Sequence, residues 1–203
     1  MYKYIITLSF LLLVGCKENR ICVVKGGVPS TEYDGEIVYL VPVRGATAGN
    51  VDSTYIRNGA FRFELDVAQG ADIRIIRTRP ILRLRLQELL VVVEPGEMAV
   101  KLDSVSRAGG TLANDALQTW KEEKMRVDEA TGYLQRLLHL ADDSLQIKEI
   151  QEGIERVSAD YSTFNYTFVK ENKGNTAGRF VYGMIKQRLN PEQRNELDIE
   201  DGD

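Results

Sequence analysis

The sequence predicts an α+β fold in which a small antiparallel β-sandwich or open barrel is followed by a helical segment with an αα-hairpin. The β-region is expected over residues 20–108, because short apolar segments with a period of two alternate there with turn residues. The helical region is expected over residues 109–203, because the apolar period lengthens to about 3.5 after Gly109-Gly110. Hydrophobic residues make up 43% and charged residues 28% of the 203 residues, which is typical of a globular chain.

Residues 1–16 have the features of a lipoprotein leader. Lys3 provides a short positive segment, and an apolar run of roughly ten residues then ends in the sequence LVGC at positions 13–16. This run is too short to span a bilayer as a final helix. The LVGC sequence resembles a bacterial lipobox, and the resemblance implies cleavage before Cys16 and acylation of its thiol. The alternative is an ordinary secretory signal with an incidental cysteine.

The leader predicts how the rest of the chain is arranged and where it is located. A signal peptide would occupy residues 1–15, and a short anchor and linker would occupy residues 16–19. Two or more acyl chains hold a protein stably at a membrane, whereas a single chain binds only marginally. We therefore expect a location in the cell envelope, most readily the outer membrane, with the chain facing the periplasm or the cell surface. The expected partners are the membrane, through the lipid anchor, and a protein of the envelope.

Asn58-Gly59 is the strongest local signal in the β-region, because a type I′ turn needs positive φ at both central residues. Alternating apolar and polar residues follow it, which predicts a strand with one face in a core. With a two-residue loop, the preceding segment would form a hairpin with this strand. The pairs would be Ile56 with Phe61, Thr54 with Phe63 and Asp52 with Leu65. Other strands are expected over residues 21–28, 36–43, 71–78, 83–94 and 98–104.

In this register the carboxylate of Asp52 points inward near the open end of the hairpin. A buried carboxylate needs hydrogen-bond donors, and backbone N–H groups of a neighbouring loop are the expected ones. A ligand-binding role for Asp52 is the alternative. We therefore predict structural roles for Asp52, Asn58 and Gly59.

The most distinctive charge feature is a group of five arginines, Arg74, Arg77, Arg79, Arg83 and Arg85. No acidic residue lies between residues 73 and 87 to neutralise them locally. Arg83 and Arg85 alternate with leucines, so a strand would place both on one face. Arginine forks suit anions such as lipid A phosphates or an acidic glycan. The alternative is a solvated edge strand whose charge prevents aggregation, with Glu64, Asp66 and Glu88 as ion-pair partners. The candidate anion-binding residues are Arg77, Arg79, Arg83 and Arg85.

The helical region begins after Gly109-Gly110, where Thr111 and Asn114 can each cap a helix start. The acidic sequence DDS at 142–144 separates two apolar stripes, so two antiparallel helices are expected around it. The second stripe ends in aromatic residues at 161, 164 and 168, which are expected to be core, with an exposed recognition strip as the alternative. A third helix is expected over residues 176–189. A last short helix is expected to begin at Asn190.

The sequence carries no convincing catalytic set. The motifs GxSxG, HExxH, GxxxxGK(S/T) and GxGxxG are absent. The single histidine, His139, has no ligand-spaced partner on its helix face, so a surface position and no metal site are expected. Cys22 lies in the apolar run ICVV and the chain has no CxxC, so a buried strand residue is expected rather than a redox thiol. The net charge of −4 argues against nucleic-acid binding, and no cofactor is expected.

Several short motifs, in their order and spacing, resemble a known family. They are Asp52-Ser53, NGAFRF at 58–63, VEPG at 93–96, Gly110-Thr111 and Asn114. Together they resemble domain of unknown function 4369 over residues 20 to about 115. That domain occurs in envelope lipoproteins of Gram-negative bacteria, commonly ahead of a thioredoxin-like domain of the AhpC/TSA type. Redox-active members carry CxxC in that second domain, and this chain ends at Asp203 without one, so we do not expect that activity.

These observations predict a non-catalytic cell-envelope lipoprotein that serves as a binding or scaffolding module. Two alternatives come from the resemblance. The chain could be an accessory to a separate thioredoxin-like protein in thiol-disulfide or peroxide chemistry, or a truncated remnant of a two-domain oxidoreductase.

Overall fold

The computed structural model describes residues 20–199, which form two facing four-stranded sheets followed by helices. This arrangement confirms the predicted α+β class, and the two sheets do not close into a barrel. The predicted signal peptide, the linker and Cys16 lie outside the described residues.

Eight strands form the two sheets within residues 20–199. In chain order they are β1 (Ile21–Gly27), β2 (Ile37–Pro42), β3 (Asp52–Tyr55), β4 (Ala60–Asp66), β5 (Asp72–Arg77), β6 (Leu89–Val93), β7 (Gly96–Lys101) and β8 (Arg107–Gly109). The first sheet has the order β4-β1-β7-β8 and the second has the order β3-β2-β5-β6. All neighbouring strands are antiparallel except β1 and β7, which are parallel.

The main hydrophobic core lies between the two sheets. Its buried members come from alternate positions of the strands, as the period of two requires. Phe61 and Phe63 of β4 are both 5% exposed and meet edge to face, with their ring centroids 6.1 Å apart. Cys22 of β1 is fully buried in the same core, as the sequence predicts.

The Asn58-Gly59 turn has the predicted conformation. Asn58 has φ of 53° and Gly59 has φ of 71°, and Arg57 and Ala60 exchange two backbone hydrogen bonds across it. The carboxylate of Asp34 accepts from both turn N–H groups at 2.8 Å, a contact that sequence analysis missed. The Arg57–Ala60 bonds and the contacts with Asp34 together hold the turn in this conformation.

The predicted hairpin around this turn is wrong. β3 pairs with β2 in the second sheet, and β4 pairs with β1 in the first, so the chain changes sheets at the turn. Ile56, Phe61 and Phe63 nevertheless face the core as predicted. The alternating pattern determines which face is buried, but either sheet can satisfy it.

The predicted strand over residues 83–94 begins later, at Leu89. A 3₁₀ helix spans Pro80–Leu82 and a turn follows it, so Arg83 and Arg85 do not share a strand face. Pro80 has no N–H for a β-ladder and its fixed φ suits the first position of a helical turn. Leu84, which the predicted strand over residues 83–94 would include, is 91% exposed.

Four α-helices occur within the described residues, and they confirm the predicted αα-hairpin. They are α1 (Leu112–Leu140), α2 (Ser144–Asn172), α3 (Thr176–Ile185) and α4 (Pro191–Leu197). Asp143 caps α2, because its carboxylate accepts from the N–H groups of the second and third helical residues. Asn190 and Gln193 form the expected capping box at α4. Among residues 20–199, no helix is both long and apolar enough to cross a membrane.

The helices form a second core on the outer face of the second sheet. Ile73 of β5 and Val92 of β6 pack there against Leu117 and Trp120 of α1, together with residues of α2 and α3. Phe168 of α2 is 5% exposed in this cluster and the partly buried Phe164 packs against it, whereas Tyr161 lies outside the cluster, so the predicted core position holds only for the last two aromatic residues. The helical region therefore shares a core with the β-sandwich.

The first turns of α1 also cover the free edge of β6. The amide of Asn114 bonds both the N–H and the carbonyl of Val92, at 2.9 Å and 2.7 Å. Lys121 Nζ donates to the carbonyl of Leu90 at 3.1 Å, and a carboxylate oxygen of Glu94 accepts from Ala113 N–H at 2.9 Å. Unpaired backbone groups at the edge of a sheet can pair with another chain and cause aggregation. These contacts cover such groups on β6.

Candidate functional site

A cleft of about 540 Å³ lies on the half of the second sheet that the helices leave uncovered. Its base is formed by Tyr39 and Val41 of β2, and one side by the β2–β3 loop. The other side is formed by residues 77–80, which leave β5, together with Arg83 and Glu88. The volume is in the range that small-molecule sites occupy.

Three of the four arginines predicted for an anion site line this cleft. Arg77 is the last residue of β5, and the chain places Arg79 and Arg83 on either side of the 3₁₀ helix Pro80–Leu82. Arg85 lies outside the cleft and is exposed. The cluster forms although its members do not share one strand, because the turn after Pro80 brings Arg83 back towards β5.

Acidic residues already neutralise two of the three cleft arginines. Arg79 pairs with Glu36, and Arg83 pairs with Glu88 at 2.9 Å. Arg77 forms no ion pair with any residue that the structure describes. Of the acidic partners expected from the sequence, only Glu88 is used in this way, since Glu64 pairs with Arg62. The cleft therefore holds one uncompensated positive charge.

Thr78 follows Arg77 and lines the same cleft. It is 6% exposed, and its Oγ1 is the one buried side-chain oxygen or nitrogen in residues 20–199 without a hydrogen-bond partner. Leaving a buried hydroxyl unpaired costs about 1–3 kcal/mol. The hydroxyl oxygen itself has less than 1 Å² of accessible surface, so a ligand in the cleft does not reach it.

The fifth arginine of the group, Arg74, has a structural role. Its guanidinium contacts Asp52 Oδ2 at 2.7 Å and Asp72 Oδ2 at 3.4 Å. Asp52 has the expected structural contact, but its donor is this guanidinium instead of a backbone N–H group. Its side chain is 44% exposed, so the prediction that this carboxylate is buried is wrong.

The other chemically active side chains lie apart from the cleft. Burial raises the pKa of the Cys22 thiol, which favours the unreactive protonated form. His139 is exposed on α1. Within the part of the chain that the structure describes, no three His, Cys, Asp or Glu side chains are arranged to hold a metal ion.

Sequence analysis missed three parts of this site, namely the buried Thr78, the apolar residues of β2 and Glu36, although it did name Glu88 as an ion-pair partner. These parts are separated from one another by up to about forty positions in the sequence. The register of β2 against β5, in which Tyr39 lies opposite Arg77, brings them together. The lack of acidic residues between 73 and 87 was the one signal that led to the site.

Comparison with protein families gives one match. Residues 22–117 match the family described as Domain of unknown function (DUF4369). Comparison with curated proteins and with solved structures gives no match. The matched stretch runs from β1 into the first turns of α1, so it contains the whole cleft and Asn114. The resemblance seen in the sequence is confirmed, and residues 22–117 form a domain of the DUF4369 family.

Proposed function

We propose that the chain is a non-catalytic lipoprotein of the cell envelope that binds an anionic ligand in the arginine cleft. The observation that carries this proposal is a cleft of small-molecule size in which Arg77 is the one lining arginine without an ion pair among the residues that the structure describes. A guanidinium donates two parallel N–H bonds to the oxygens of a carboxylate or a phosphate. The family match gives no mechanism, so the proposal depends on this geometry and on the leader sequence.

Lipid attachment is tested by the intact mass of the protein purified from the membrane fraction. We expect the mass of a chain that begins at Cys16 and carries acyl groups, and we expect Cys16→Ser to abolish both cleavage and acylation. Cys22→Ser is the matched control and should be acylated like the wild type. A bare thiol at Cys16, or a leader still attached in the mature product, would overturn the lipoprotein proposal.

The family context favours one alternative, in which the chain assists a thioredoxin-like protein or is a remnant of one. Burial of Cys22 and the raised pKa of its thiol argue against thiol chemistry at that residue. The test is reduction of insulin disulfides by the purified protein. An activity that disappears in Cys22→Ser would show that the chain is an enzyme.

A further inference from the structure

We infer that the ligand of the arginine cleft is a small monocarboxylate with an apolar body, whose carboxylate binds to Arg77. This inference rests on the proposed use of the cleft as a binding site. It adds the chemical class of the ligand, which follows from the charge, the lining and the hydrogen-bonding groups of the cleft.

The charge of the cleft selects a single negative charge. Three arginines line it, but the ion pairs to Glu36 and Glu88 leave one positive charge to be neutralised. A dianion would have to break one of these pairs or lie close to the carboxylate of Glu88. Like charges in a cleft disfavour each other, so the balance favours a monoanion.

The base and side of the cleft provide an apolar surface next to that charge. Val41 is 4% exposed at the base, and Tyr39 is half-buried next to it. Ala46, Ala48 and Val51 of the β2–β3 loop and Pro80 complete the apolar lining. Burial of an alkyl or aryl group on such a surface is favourable in proportion to the apolar area removed from water. A small hydrated ion such as phosphate would leave this surface unused.

The hydrogen-bonding groups suit a carboxylate. Arg77 can donate two parallel N–H bonds to its two oxygens. The body of the ligand would extend from Arg77 towards Tyr39, which lies opposite it in the β2–β5 register, and then over Val41.

Octanoate titrated into the full chain tests this inference, with backbone amide chemical shifts of residues 76–79 as the site-specific readout. We expect saturable binding of octanoate, and binding weaker by about tenfold or more for octanol, suberate and inorganic phosphate. Arg77→Gln should weaken octanoate binding by about tenfold or more. Arg85→Gln is the matched control outside the cleft and should bind like the wild type.

Three outcomes would overturn the inference. They are octanol binding as tightly as octanoate, an equal loss for Arg85→Gln and Arg77→Gln, and phosphate binding in preference to octanoate. Arg77-dependent binding of phosphate would reject the ligand class and still support the proposed anion site. The acylation state of Cys16 is independent of all these results, so failure of the lipoprotein proposal is recognised separately.

Discussion

Replacement of Asn114 by alanine should detach the edge of the second sheet from α1 and destabilise the whole chain. Asn114 is 1% exposed, and its amide bonds Val92 N–H at 2.9 Å, the Val92 carbonyl at 2.7 Å and Thr111 Oγ1 at 2.8 Å. Val92 is fully buried, so water cannot replace the lost partners. The variant leaves two backbone groups unpaired in a dry interface.

The expected loss follows from these contacts. Each buried backbone group left unpaired costs about 1–3 kcal/mol, and the higher helix propensity of alanine returns about 0.5 kcal/mol. The free energy of unfolding should therefore fall by about 2–5 kcal/mol. Urea denaturation at 25 °C and neutral pH, followed by circular dichroism, measures it.

Asn195→Ala is the matched control, because it makes the same substitution at an exposed position of α4. Its free energy of unfolding should stay within about 0.5 kcal/mol of the wild type. An Asn114→Ala variant as stable as Asn195→Ala would refute the assigned role. It would mean that water or a shifted side chain satisfies Val92.

Two further predictions concern the turn and the covered edge. Gly59→Val should lower the free energy of unfolding by about 1–3 kcal/mol, because φ at residue 59 is 71° and β-branched residues resist positive φ; Gly59→Asn should cost less, and equal losses in urea denaturation would contradict this reason. Burial lowers the pKa of Lys121 to about 8, below its value in the unfolded chain, so the unfolded state holds the proton more tightly. The free energy of unfolding of the wild type, relative to Lys121→Met, should therefore increase by up to about 3 kcal/mol as pH rises from about 8 to about 10.4. If the free energies of unfolding of the two proteins changed in the same way with pH, Lys121 would not be buried as a charged group.

Strand faces and turn geometry could be predicted from the sequence, whereas strand partners could not. The alternation around Phe61 and Phe63 correctly indicates the buried face, and the positive φ values of Asn58 and Gly59 follow from their residue types. The partner of β4 depends on contacts with β1, some forty residues earlier in the sequence. No local pattern encodes that choice when two sheets offer the same apolar interior.

Asn114 shows the same limit for a single residue. A polar residue after Gly109-Gly110 reads as a helix cap, because caps and turns are the usual local partners of asparagine. In the structure it lies inside α1 and bonds a strand 22 positions earlier in the sequence. Its role depends on β6 being an edge strand, which is a property of sheet order and not of local sequence.

The arginine segment shows why a charge cluster in a sequence does not by itself define an anion site. Arg74 and Arg79 are neutralised by Asp52 and Glu36, which lie 22 and 43 positions earlier in the sequence, and Arg83 is neutralised by Glu88, five positions later. A count of charges would therefore predict a polyanionic ligand. The structure leaves too little unpaired positive charge in the cleft to bind one. Arg77 differs because no residue that the structure describes forms an ion pair with it, although Glu88 lines the same cleft and pairs with Arg83. The ligand that the site can bind is thus determined by which arginine remains unpaired, and sheet register and ion-pair geometry decide that together.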